Sequence, residues 1–152
     1  MNKPLILVVE DDAPIRNLIT TTLKTQDYKY IAAATASEAL QQATIHAPDV
    51  MLLDLGLPDL DGIEVIRRIR SWSAMPIIVI SARSEDSDKI EALDSGADDY
   101  LTKPFSVEEL LARLRVTFRR ILMLQNAAGS SVFTNGDLQI DFAAGCATLK
   151  GQ

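Results

Sequence analysis

The chain has 152 residues, of which 47% are hydrophobic and 24% are charged, so it is long enough and apolar enough to bury a core. Its formal net charge of −6 argues against direct binding to nucleic acid and suits a divalent cation better. The single cysteine, Cys146, excludes an intramolecular disulfide, and no apolar run approaches the ~18 residues needed to span a bilayer. We therefore expect a cytoplasmic protein with no membrane contact.

Short apolar runs alternate with amphipathic runs along the first 125 residues. In chain order, the sequence predicts a strand at 5–9, a helix from 14, a strand at 28–33, a helix over 38–46, a strand at 50–53, a helix over 63–69, a strand at 77–80, a helix over 87–95, a strand near 100–101 and a helix from 106 to about 125. Asp12 and Ser37 are candidate N-caps, and Ser106 with Glu109 forms a capping box. Five strand–helix repeats predict an α/β domain with a parallel sheet and helices on both faces.

The residues after the last predicted helix differ in character from the rest. Residues 126–131 are small and polar, which is typical of a linker. Residues 132–152 contain strand-like residues and an Asn135-Gly136 turn signal, but they are too few for an independent core. We therefore predict a first domain over 1–125, a linker over 126–131 and the truncated start of a second, β-rich domain over 132–152.

Polar side chains follow four of the five predicted strands. Glu10 and Asp11 follow the first strand, Asp54 the third, Ser81 the fourth and Lys103 the fifth. In open parallel sheets, ligands bind beyond the carboxyl ends of the strands, so these side chains should gather at one edge. Two carboxylates ~4 Å apart repel by roughly 4 kcal/mol at an effective dielectric near 20, so three together need protons or a cation. Mg²⁺, which prefers oxygen ligands, fits this set.

The spaced motifs resemble those of two-component response-regulator receivers. The resemblance covers residues 3 to about 125 and is carried by Val-Val-Glu-Asp-Asp at 8–12, Asp54, Leu-Pro at 57–58, Asp-Gly at 61–62, Ser-Ala at 81–82 and Lys-Pro-Phe at 103–105. Residues 97–101 with the arginines at 113, 119 and 120 are similar to the winged-helix transcription-factor branch, and residues 70–85 to regulators of potassium-transport (Kdp) operons. The resemblance implies a flavodoxin-like, doubly wound sheet with strand order 2-1-3-4-5.

The resemblance also implies the roles of the residues at the strand ends. Asp54 would accept a phosphoryl group from a sensor histidine kinase, which makes the chain a phosphoacceptor signalling protein and not an enzyme. Asp11, Asp54 and the backbone carbonyl of Gly56 would bind Mg²⁺ directly, and Glu10 would act partly through a metal-bound water. Neutralising spread negative charge is the main catalytic task in phosphoryl transfer.

Two further side chains would contact the phosphoryl group in the resembled family. Lys103 would place its ammonium opposite Mg²⁺, directed by a cis Lys103–Pro104 bond, and Ser81 would donate a hydrogen bond. Ser81 would then move inward on phosphorylation, and Tyr100 would swing into the vacated space.

The resemblance implies that phosphorylation switches the chain between two states and drives dimerisation. The homodimer would form through helix 4, strand 5 and helix 5, and mixed charges allow that face to complement itself. The predicted dimer-face residues are Lys89, Asp94, Asp98, Asp99, Glu109, Arg113, Arg115 and Arg120. DNA would be bound only through the missing part of the C-terminal domain, and the output would be control of transcription.

Three other functions compete with this one. A haloacid-dehalogenase-type phosphatase needs a second acid two residues after its nucleophile, where this chain has Gly56. A flavin-binding protein needs a phosphate cradle after the first strand, where the acids at 10–12 would repel phosphate. A phosphate-independent dimerisation module is the remaining alternative, although it would have no use for Asp54, Ser81 and Lys103 together.

Overall fold

The computed structural model describes the backbone of residues 3–130 and the side chains of residues 3–124. The predicted second domain over 132–152, including Cys146, lies outside the described residues. The elements are β1 (Leu5–Val9), α1 (Ala13–Thr25), β2 (Lys29–Ala33), α2 (Ala36–His46), β3 (Val50–Leu53), α3 (Gly62–Arg70), β4 (Ile77–Ser81), α4 (Asp86–Ser95), β5 (Asp99–Thr102) and α5 (Val107–Ser130).

The five strands form one parallel sheet in the order β2-β1-β3-β4-β5, which confirms the predicted fold. The register explains how distant polar residues come together. Val9 of β1 pairs with Leu53 of β3, so the residues that follow them leave the sheet side by side. Ser81 of β4 pairs in the same way with Thr102 of β5.

The core is aliphatic, as the low content of aromatic residues requires. Alternate strand residues, including Leu7, Leu53 and Val79, pack against α2, α3 and α4 on one face of the sheet. The buried Ile19 and Leu23 of α1 lie outside that cluster, and α1 contacts β1 and β2 from the other face. The strands are therefore apolar on both sides, as expected for a parallel sheet between two helical layers.

Two helices begin as the sequence predicts and one does not. Asp12 is the N-cap of α1, where its carboxylate accepts a bond of 3.1 Å from the backbone N–H of Ile15. Ser106 accepts a bond of 3.0 Å from the N–H of Glu109. The prediction of Ser37 as the cap of α2 was wrong, because Thr35 holds that position and α2 begins at Ala36.

Helix α5 extends beyond its predicted end near Gln125. It runs to Ser130 and passes through most of the segment predicted as a linker, because the alanines at 127 and 128 are strong helix formers. The chain divides into two compact units, Met1–Leu110 and Leu111–Gln152, and the described part of the second unit is the remainder of α5. Within residues 3–130, no helix is both long enough and apolar enough to cross a membrane.

Gly62, the first residue of α3, is packed too tightly to carry a side chain. A Cβ there would lie 2.6 Å from the Cα of Leu55 and 2.8 Å from the carbonyl oxygen of Asp54. We expect Gly62→Ala to lower the free energy of unfolding by about 1–3 kcal/mol, because backbone must move to make room.

Gly56, in the loop that joins β3 to α3, offers a matched control. A Cβ at that position would meet only the Asp54 carboxylate, at 4.0 Å. Urea denaturation of the two variants should therefore separate them, with Gly56→Ala close to wild type. Equal stabilities for both variants would contradict the predicted overlap at Gly62.

Candidate functional site

The site lies at the carboxyl edge of the sheet, where β1 and β3 end. Glu10 follows β1 and is 1% exposed, and Asp54 follows β3 and is 7% exposed. Asp11 is exposed beside them. Each of the three residues offers an oxygen within 4.8 Å of the others, so the predicted acidic cluster is confirmed.

The Lys103 ammonium is the cation nearest to this cluster among the described residues. It lies 2.8 Å from Oε1 of Glu10 and 3.6 Å from Oδ2 of Asp54, and its side chain is 15% exposed. The backbone N–H of Lys103 donates to the carbonyl of Ser81, and the Lys103–Pro104 peptide bond is cis. The β5–α5 loop thus places one positive charge against two buried carboxylates.

Charge balance at the cluster is incomplete with one lysine. The pKa of Glu10 is raised to about 7, mainly by burial and also by the neighbouring Asp54, although Lys103 and the N–H of Asp12 oppose the change. For Lys103, burial lowers the pKa, but Glu10 and Asp54 outweigh burial, and the net result is a raised pKa. The lysine therefore stays charged, and within residues 3–124 it is the one basic side chain that forms an ion pair with these acids.

The donor set fits a hard divalent cation. Mg²⁺ takes a few carboxylate oxygens and keeps several waters, and Glu10, Asp11 and Asp54 offer three such oxygens. Among the described residues, the Lys103 ammonium, at 2.8 Å, is the one hydrogen-bond donor close to Oε1 of Glu10. A bound divalent cation would add positive charge beside these carboxylate oxygens. The Gly56 N–H donates to Oδ1 of Asp54 over 3.2 Å, which orients the carboxylate.

The β4–α4 loop joins the predicted switch residues through Arg83, to which the sequence assigned no role. Ser81 is buried, and its Oγ accepts a bond of 3.1 Å from the N–H of Arg83. The Tyr100 hydroxyl donates to the carbonyl of Arg83 over 2.7 Å. The Arg83 guanidinium forms an ion pair of 3.2 Å with Asp61 in the loop after β3. Ser81 and Tyr100 are therefore linked through one backbone unit.

Arg16 is a second residue that the sequence analysis missed. Its guanidinium donates to the carbonyl of Glu10 over 2.9 Å and to that of Asp11 over 3.4 Å. From near the start of α1, Arg16 therefore supports the backbone that presents both acids. The only sequence signal was a basic residue near an acidic cluster, which is common on helix surfaces.

The predicted dimer-face residues are placed on several elements. Lys89 and Asp94 lie on α4, and Asp99 begins β5. Asp98 forms an ion pair of 2.9 Å with Arg70, and its carboxylate also accepts the N–H of Ile77. Glu109 lies in the first turn of α5, and the predicted arginines at 113, 115 and 120 lie farther along α5, in the second unit. Their pairing between two chains stays a prediction.

Comparison with known proteins agrees with this geometry. The response regulator receiver domain family matches residues 6–115. The KDP operon transcriptional regulatory protein KdpE of Escherichia coli is 50% identical over 139 residues, which cover 91% of this chain and 61% of that protein. KdpE of Staphylococcus aureus is 46% identical over 147 residues, which cover 97% of this chain and 63% of that protein. The chain thus spans about three-fifths of these relatives.

Solved receiver domains have the same fold. The receiver domain of the Francisella response regulator 1452 is 37% identical with a TM-score of 0.75, covering 78% of this chain and 99% of that one. The BeF3-activated N-terminal receiver domain of Klebsiella pneumoniae RstA is 33% identical with a TM-score of 0.73, covering 76% and 98%. The chain belongs to the response regulator receiver family, and its relatives include the KdpE transcriptional regulators.

Proposed function

We propose that the chain accepts a phosphoryl group on Asp54 from a phosphohistidine of a sensor histidine kinase. The observation that carries this proposal is the setting of Asp54. Its carboxylate is almost fully buried at a strand end, within 4.8 Å of two other acids and 3.6 Å from the Lys103 ammonium. In this setting the two neighbouring acids can help Asp54 to hold a divalent cation, and Lys103 can contact a phosphoryl oxygen.

In the proposed transfer, a carboxylate oxygen of Asp54 attacks phosphorus. The P–N bond to the donor imidazole breaks as the P–O bond of an acyl phosphate forms, and the electron pair returns to the imidazole. Mg²⁺, when bound by Glu10, Asp11 and Asp54 with the carbonyl of Gly56, supplies positive charge against the phosphoryl oxygens.

Lys103 and Ser81 complete the proposed phosphoryl site. The Lys103 ammonium already lies close to Asp54 and offers donors to a phosphoryl oxygen. The Ser81 hydroxyl, which accepts the Arg83 N–H, would move toward the phosphoryl group and donate to it. That movement would change the loop whose backbone also accepts the Tyr100 hydroxyl. The switch through Ser81 and Tyr100 then reaches α4 and β5.

Phosphorylation would promote a homodimer through α4, β5 and α5. Helix α4 supports this idea because Ile90 and Leu93 are 57% and 45% exposed beside charged residues. Since the relatives named KdpE are transcriptional regulators, we propose a cytoplasmic role in transcription, with potassium transport as the controlled process. DNA would be bound by the part of the protein that follows the receiver.

The proposed function is tested by intact mass spectrometry after incubation with acetyl phosphate. With Mg²⁺, the protein should gain one phosphoryl mass, and with a chelator it should gain none, because three acids repel the donor when no cation is bound. A protein that stays unmodified while a known receiver reacts would support the phosphate-independent dimerisation module instead.

A further inference from the structure

Asp59 joins the loop that carries the phosphoacceptor to a neighbouring helix. It lies in the β3–α3 loop, five residues after Asp54. Its Oδ1 accepts a bond of 2.8 Å from the N–H of Ala36, and its Oδ2 accepts a bond of 3.0 Å from the N–H of Ser37. Both oxygens of one carboxylate are therefore bound to the first turn of α2.

The N-terminus of α2 already has caps from its own residues. Thr35 Oγ1 accepts a bond of 3.1 Å from the N–H of Glu38, and Glu38 Oε1 accepts a bond of 2.9 Å from the N–H of Ala34. The N–H groups of Ala36 and Ser37 are not used by this local pair, and Asp59 accepts hydrogen bonds from both. The helix thus has a local cap and a second cap from another element, and only the second cap restrains the β3–α3 loop.

The charge on Asp59 suits this contact. The backbone N–H groups of Ala36 and Ser37 hold the pKa of Asp59 below its ordinary value, so the residue is a carboxylate at neutral pH. An anion at the first turn of a helix is also favoured by the helix dipole. The contact is consequently a charge-assisted pair of hydrogen bonds.

The loop between Asp54 and Gly62 is also held by Leu57 and Leu60, which pack against the core, and by backbone bonds near its two ends. The Gly56 N–H bonds to Asp54, and the Gly62 N–H bonds to the Leu55 carbonyl over 2.9 Å. Asp59 lies between these points, at the tip of the loop. Its two hydrogen bonds add a polar link from the tip to α2, next to the apolar contacts of Leu57 and Leu60.

We propose that Asp59 is a positioning residue that docks the phosphoacceptor loop on α2 and so sets the geometry of the Mg²⁺ site. This inference rests on the proposed function, since it concerns the same site. When the contact is lost, the Gly56 carbonyl and the Asp54 carboxylate are presented less accurately, although Asp59 touches neither the metal nor the phosphoryl group. Residues that orient metal ligands typically change metal affinity about 10–100-fold when they are removed.

Asp59→Ala and Thr35→Ala form a matched pair for the test. Each removes an acceptor from the N-terminus of α2, so each should lower the melting temperature by a few degrees. Calorimetric titration with Mg²⁺ should show affinity weakened about tenfold or more in Asp59→Ala and unchanged in Thr35→Ala. Asp59→Asn keeps one acceptor oxygen and should recover part of the affinity.

Amide hydrogen exchange in the metal-free protein provides a readout that does not depend on Mg²⁺. Exchange at residues 56–60 should be faster in Asp59→Ala than in wild type and unchanged in Thr35→Ala. If both variants lose Mg²⁺ affinity equally, or if exchange at 56–60 is the same in both, the inference is wrong. If wild type binds no Mg²⁺ and takes no phosphoryl group, the proposed function fails, and the exchange data still decide whether Asp59 docks the loop.

Discussion

Asp54→Asn should abolish acceptance of the phosphoryl group. The amide has nearly the shape of the carboxylate, so the buried position after β3 should stay packed. It lacks the negative oxygen that attacks phosphorus, and it removes one charge from the proposed Mg²⁺ site. Intact mass after incubation with acetyl phosphate and Mg²⁺ should show no gain in this variant.

Asp61→Asn is the matched control for Asp54→Asn. Asp61 belongs to the same loop, but its carboxylate caps α3 and pairs with Arg83, and it is half exposed. Asparagine is a good N-cap, so this variant should fold and gain the phosphoryl mass as wild type does. A mass gain that persists in Asp54→Asn, or one that is lost equally in Asp61→Asn, would contradict Asp54 as the acceptor.

Glu10→Gln should stabilise the metal-free protein and weaken its binding of Mg²⁺. The folded-state pKa of Glu10 is raised from 4.5 to about 7, first by burial and then by Asp54. Between these two values the folded state binds more protons than the unfolded state, so the stability contributed by Glu10 falls as the pH rises through this window. Glutamine resembles the protonated acid and avoids this loss, which is on the order of 2 kcal/mol at pH 8.

Denaturation with urea in the presence of a chelator measures this effect. The difference in stability between Glu10→Gln and wild type should be small at pH 4.5 and should grow up to about pH 7. Calorimetric titration should show weaker Mg²⁺ binding in the same variant. Glu91→Gln, on the exposed surface of α4, should change neither quantity. A stability difference that does not vary with pH would contradict the raised pKa of Glu10 in the folded state.

The buried carboxylates of Glu10 and Asp54 lower the stability of the metal-free domain but prepare it to bind a cation. Glu10 and Asp54 are kept buried where their charges repel, and one lysine offsets part of that repulsion. Functional sites often lower the stability of a protein, because the groups that bind a ligand lack favourable partners when the ligand is absent. A bound cation is expected to offset the remaining repulsion between these carboxylates.

The strands, and the acids and lysine at their ends, could be predicted from the residues, whereas the strand order followed from the resemblance to the receiver family. Continuous aliphatic runs indicate buried parallel strands, and each run stops at a polar residue that must leave the sheet. Glu10, Asp54 and Lys103 could therefore be placed at one edge before any distance was known. The motif spacing then led to the receiver family, which the relatives confirm.

The residues that support that edge could be identified only in the folded structure. Arg16, Asp59 and Arg83 act through backbone groups, and a carbonyl or an N–H leaves no mark in the identity of the residue that carries it. The cap of α2 was misplaced for a related reason, because Thr35 and Ser37 are both good N-caps by type. Asp59 binds the N–H of Ser37 from a loop 22 residues away, and such a contact depends on how the two elements pack. Periodicity and local propensity record neighbours along the chain, whereas these contacts join residues that only the folded sheet brings together.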